Sequence, residues 1–129
     1  MKTLSSAGII LALFCIGTGD VHAIDNAFPQ RISGFWSGFS NQTAVTAVFY
    51  ESVGTPGSCD TLTGTFGGNP VQGYYCPLSG RVGFAIFSGG QPFEVCSGTL
   101  TQSGSTNRIT GWFAYFTTPR GEYSFMLSK

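Results

Sequence analysis

Histidine is the side chain best suited to proton transfer near neutral pH, and it occurs once, at His22. Residues 24–129 therefore cannot assemble a Ser-His-Asp or Cys-His pair, nor a histidine-ligated metal site. Gly38-Phe39-Ser40-Asn41-Gln42 lacks the second glycine that a strained nucleophile turn requires. The acids of this region, Asp25, Glu51, Asp60, Glu94 and Glu122, are scattered in sequence. Strand pairing could bring two of them together, Glu51 and Glu94 for example, as an acid and a base. No glycine-rich phosphate loop precedes a helix pattern. The expectation is a protein that is not an enzyme and carries no metal and no cofactor.

Cys59, Cys76 and Cys96 also lie in this region, an odd number whose spacings fit no zinc or redox motif. Two of the three are expected to pair in an exported chain, and the spacing alone does not say which. Such a bridge contributes roughly 3 kcal/mol. The remaining chemistry is aromatic, since Trp36 and Trp112 could line a ligand cavity or simply fill a core.

Residues 1–23 read as a secretory signal. Met1-Lys2 gives the positive start, Ala7 to Ile16 an apolar run too short to span a bilayer, and Val21-His22-Ala23 a small-x-small cleavage site. Cys15, preceded by Phe14, fits a lipoprotein box poorly. A soluble secreted or periplasmic product with no membrane anchor is expected, its single domain covering residues 24–129. There the five acids meet five bases, Arg31, Arg81, Arg108, Arg120 and Lys129. A neutral chain with no basic face is not expected to bind nucleic acid.

The elements that must position these residues are strands. Ile109-Thr110-Gly111-Trp112-Phe113-Ala114-Tyr115-Phe116 is aromatic and β-branched, with Ile109, Phe113 and Tyr115 on one face and Trp112, Ala114 and Phe116 on the other. Both faces are apolar, so each should be covered. Further strands are read at 31–38, 43–51, 61–67, 73–82, 84–88, 93–102 and 123–128, with Thr43, Val45, Ala47 and Phe49 sharing a face of the second and Gly83 supplying the reversal between the fourth and fifth. Asn41-Gln42-Thr43 fits a glycosylation acceptor. A Ser/Thr-Gly-x-apolar word recurs at Gly34, Gly64, Gly80, Gly98 and Gly111, as expected where a small sheet must bend repeatedly to close. Eight short strands and no helical period point to an all-β, eight-stranded antiparallel up-and-down barrel, with a sandwich as the alternative.

Several of these words resemble the avidin and streptavidin family. Gly34-Phe35-Trp36 is similar to the glycine-x-tryptophan of that family's first strand, Leu62-Thr63-Gly64-Thr65-Phe66 to its third strand, and Pro77-Leu78-Ser79-Gly80-Arg81-Val82 to its fourth. Trp112 falls where its seventh strand has a ligand-stacking tryptophan. The resemblance implies a lipocalin-like closed barrel that holds a small, partly apolar ligand between Trp36, Phe66 and Trp112. It also implies a homodimer or tetramer joined through the outer face of the seventh strand. The positions that would hold a biotin ureido oxygen read Gly38, Gln42 and Phe66, and Gly68 replaces a further serine. A one-residue shift makes Ser40 or Asn41 the donor instead, so the ligand candidates are Trp36, Ser40, Gln42, Phe66 and Trp112. Tyr74 and Tyr75 would flank the loop that closes over ligand. Two other readings stand beside this one: a closed, filled barrel that binds a protein through its surface, as secreted protease inhibitors do, and an envelope-associated structural barrel without a ligand.

Overall fold

The structure, a computed structural model, describes residues 28–52, 55, 57–117 and 121–129. The leader reading of residues 1–23 lies outside them. The described residues contain no helix and eight strands: β1 (Gly34–Ser40), β2 (Thr43–Ser52), β3 (Asp60–Phe66), β4 (Asn69–Cys76), β5 (Arg81–Ser88), β6 (Gln91–Ser103), β7 (Thr106–Tyr115) and β8 (Glu122–Ser128). Each strand pairs antiparallel with the next, and β1 pairs with β8 to close an up-and-down barrel. Closure removes every free sheet edge.

Side chains alternate in and out along each strand, and the inward set makes one continuous core. Trp36, Ala47, Phe49, Leu62, Phe66, Val71, Tyr75, Val82, Phe84, Ile86, Leu100, Ile109, Phe113, Phe125 and Leu127 are all buried. The rings run in contact through the interior. Trp36 lies 6.5 Å from Phe49, Phe49 lies 5.5 Å from Phe84, and Phe84 lies 5.7 Å from Phe66 and 6.2 Å from Phe125. The interior is therefore a packed aromatic core where the resemblance had placed a ligand.

Glycine lets the wall bend tightly enough to close. Gly64 sits in β3 at φ +131°, and a Cβ there would stand 1.9 Å from the Val48 carbonyl oxygen on β2. No side chain fits, so the recurring glycine word has a steric cause at this position. The word at Gly80 belongs to a turn instead, since Gly80 N–H donates to the Cys76 carbonyl at 2.8 Å.

That turn corrects the reading of the fourth and fifth strands. The chain reverses between Cys76 and Arg81, and Gly83 lies within β5 opposite Tyr74. Gly83 is small because the Tyr74 ring lies across it, 2.7 Å from where a Cβ would be. β4 also begins earlier than 73, at Asn69, because Gly67 and Gly68 both take positive φ and form the two-residue reversal themselves.

The barrel has two ends. One gathers the ends of β1, β3, β5 and β7 with the starts of β2, β4, β6 and β8; we call it the upper mouth. The lower end is plugged by residues 28–33. Ile32 is buried, its N–H donates to Glu51 Oε1, Ser33 Oγ donates to the same oxygen at 3.0 Å, and Tyr75 O–H donates to the Pro29 carbonyl. Cys59 and Cys76 form a disulfide beside this end, with Cα atoms 4.1 Å apart, and Cys96 stays a buried free thiol. A disulfide is consistent with an oxidising compartment.

Candidate functional site

The five ligand candidates do not meet. Trp36 points inward in the lower half of the barrel, and its indole N–H donates to the Ile32 carbonyl at 2.7 Å. Phe66 is buried in the core nearer the upper mouth. Ser40 is half-buried at the rim, and Gln42 is exposed in the β1–β2 turn, where Asn41 and Gln42 take φ of +47° and +68°. Both positive values fit the reversed turn that joins two twisted strands, and Asn41 of the glycosylation word is exposed there.

Trp112 requires a correction. It was expected to project inward with Trp36, but Ile109 and Phe113 take the inner face of β7 and the period of two puts Trp112 outside. It is 40% exposed and stands between Ser97 of β6 and Ser124 of β8. Among the described residues, the outer face of β7 thus leaves Trp112 partly uncovered. Tyr74 and Tyr75 likewise lie within β4 on opposite faces: Tyr75 is buried, and Tyr74 is 42% exposed on the outer wall. A groove of about 350 Å³ runs beside Tyr74 along Gly83, Ala85, Val95 and Ser97.

The suggested acid–base pair also separates. Glu51 lies near the end of β2 at the lower end, whereas Glu94 lies near the start of β6 at the upper mouth. Glu51 is instead the hydrogen-bonding neighbour of Asp60, and burial together with that carboxyl holds its pKa above the usual value. Glu51 Oε2 is buried without a hydrogen-bond partner among the described residues, a setting that favours the neutral carboxyl over the charged one. Among the described residues no group of three or more potential metal ligands occurs.

At the upper mouth the structure builds a cluster that strand reading did not assemble. In β6 the register slips between Ile86 and Phe87 of β5, leaving Phe93 as an extra residue between Pro92 and Glu94. Such a bulge re-aims a side chain. Phe93 consequently packs on the core and stacks with Tyr115 at 6.5 Å and an interplanar angle of 24°. Tyr115 meets Phe113 edge-on at 5.8 Å and Tyr123 edge-on at 5.9 Å, and Phe113 and Tyr123 lie 5.3 Å apart.

Glu94 belongs to this cluster. It pairs directly with Tyr115 across β6–β7, and it shares the inner face of β6 with Cys96, two residues on. Burial holds its carboxyl above the usual range, and its charge in turn pushes up the Cys96 thiol and the Tyr115 hydroxyl. Burial is the larger cause in both neighbours. Among the described residues no donor is hydrogen-bonded to Glu94. The upper mouth therefore presents one half-buried carboxylate against Phe93, Phe113, Tyr115 and Tyr123.

The chain matches no family model, no curated protein and no solved structure. The likeness to avidins thus rests on the short sequence words, set beside a closed eight-stranded barrel.

Proposed function

We propose that this protein is a secreted binding barrel, without enzymatic activity, that takes a small, partly apolar ligand at its upper mouth. The observation that supports it is Glu94, a carboxylate half-buried among aromatic rings with no described donor to satisfy it. A charge held in such a place costs free energy unless something pairs with it, and binding sites combine apolar walls with a few convergent polar groups in this manner. The filled core moves the ligand from the barrel centre to the mouth, where Ser40 and Gln42 stay accessible. Biotin is expected to bind weakly, because each of its polar groups left unpaired at Gly38, Phe66 or Gly68 costs about 1–3 kcal/mol.

The test is titration with biotin and with 3,3-dimethyl-1-butanol, a compact apolar alcohol, followed by aromatic chemical shifts. Shifts confined to Phe93, Tyr115 and Tyr123 support the mouth as the site. Shifts confined to Trp36, or none with either probe at millimolar concentration, defeat it.

A second reading has its own observation. Phe35, Phe39, Tyr74 and Trp112 are all exposed on the outer wall, and exposed aromatic surface of this kind marks association sites. The occupant we favour is a second copy of the chain, seated on the outer face of β7. Sedimentation as a monomer at micromolar concentration would dismiss it.

A further inference from the structure

The chemistry of the upper mouth narrows its ligand to one class. We infer that the mouth binds an organic cation, a quaternary or alkylated ammonium group, through the faces of Phe93, Tyr115 and Tyr123 and the carboxylate of Glu94. This inference rests on the mouth being the ligand site and adds the charge of what it takes.

Three observations converge on it. Aromatic faces carry partial negative charge, and a cation within about 6 Å of a ring centroid is attracted more strongly where water is thinned. Here three rings with accessible surface, Phe93, Tyr115 and Tyr123, lie within 6.5 Å of a neighbour in one connected cluster, on the buried base of Phe113. The bulge at Phe93 adds a ring that regular pairing would have turned away, so the wall is built by a departure from the ladder.

The second observation is Glu94. It faces Tyr115 from the neighbouring strand and Cys96 from its own, a phenol and a thiol held neutral chiefly by burial, so neither brings a positive charge to it. Tyr123 of β8 is the other phenol of the ring cluster and brings no positive charge either. An ammonium ion supplies what these groups lack. Its alkyl substituents meet the rings while its charge faces the carboxylate.

The third is the distribution of charge over the barrel. Arg31, Arg81, Arg108 and Lys129, the bases among the described residues, all sit toward the lower end, before β1, at the starts of β5 and β7, and after β8. Glu94 and Glu122 lie at the upper mouth. Glu51 and Asp60 also lie at the lower end, so among the described residues four bases and two acids stand below against two acids above, a balance that favours cations over anions at the mouth.

The experiment compares choline with 3,3-dimethyl-1-butanol, which has the same shape with carbon in place of the charged nitrogen. Titrations of the purified protein at low salt are followed by heat and by aromatic chemical shifts. Choline is expected to bind about tenfold more tightly than the alcohol. Glu94→Gln should cut that preference to about threefold or less, the share of the rings alone, while leaving the alcohol within about twofold of its original affinity. Tyr115→Leu, at a more exposed position, should weaken choline at least threefold with the thermal midpoint kept, which guards against a Glu94 variant that does not fold. Equal or tighter binding of the alcohol overturns the cation inference and leaves the small-ligand reading standing. Binding of neither probe defeats both.

Discussion

The indole N–H of Trp36 donates to the carbonyl oxygen of Ile32, 2.7 Å away and buried, so the first strand is tied to the segment that plugs the lower end. Trp36→Phe keeps an aromatic ring in the core but strands that carbonyl. The expected loss is about 1–3 kcal/mol, read as a lower urea midpoint. Trp112→Ser changes an exposed position and should stay within about 0.5 kcal/mol of the parent in the monomeric state. In Trp36→Phe the remaining Trp112 emission should be quenched readily by acrylamide, whereas in Trp112→Ser the remaining Trp36 emission should resist it.

Gly64 and Gly68 both take positive φ, at +131° and +85°, but only Gly64 has a backbone against it. A methyl group at Gly64 would meet the Val48 carbonyl at 1.9 Å, whereas at Gly68 nothing lies within 4 Å. Gly64→Ala should therefore destabilise by roughly 4 kcal/mol or more, in the exceptional range for a point change. Gly68→Ala should cost about 1–2 kcal/mol, the left-handed penalty alone. Equal midpoints for the two variants in thermal unfolding would refute the close-approach argument.

The Cys59–Cys76 bridge closes a loop of 17 residues' separation. Replacing both cysteines by alanine should remove roughly 3 kcal/mol, chiefly by freeing the unfolded chain. Cys96 should be inert to a thiol reagent in the native protein, since it is buried and its thiol is pushed up by burial and by Glu94. Labelling of Cys96 at the rate of a free thiol, without denaturant, would contradict both the burial and the pairing.

Glu51 and Glu94 are both held above the ordinary carboxyl value of 4.5 in the folded state, Glu51 by burial and Asp60, Glu94 by burial. The folded protein keeps these protons where the unfolded chain releases them. Their contribution to stability is full below the unfolded value and is lost as pH rises through the elevated folded values. Urea midpoints should fall over that interval, and Glu51→Gln should flatten part of the fall, because the neutral amide does not release a proton. A midpoint that rises with pH above 4.5 in the parent, through these two groups, would reverse the sign and sink the assignment.

Much of the strand layout was readable because strand signals are local. β2, β3, β7 and β8 fall within a few residues of where alternation and turn residues put them. β4 and β5 were misplaced because Gly83 looks like a turn residue in sequence, whereas its smallness serves the Tyr74 ring across the sheet. Of the two tryptophans read as lining the barrel interior, Trp36 is buried and Trp112 is 40% exposed. A resemblance to a family word carries position along a strand more safely than it carries what lies beside that strand in space.

By itself the sequence determined the all-β class, the eight strands and the two apolar faces of β7, since these follow from residue type and a period of two. It did not determine which face of β7 is inner. With apolar residues on both, that is set by registry with β6 and β8, where Cys96, Ile109, Phe113 and Leu127 converge. Pairing of Cys59 with Cys76, burial of Cys96, and the meeting of Phe93, Glu94, Tyr115 and Tyr123 were likewise decided only by tertiary structure. These residues come from different strands, and barrel closure with a single bulge brings them together, a non-local outcome that no local spacing encodes.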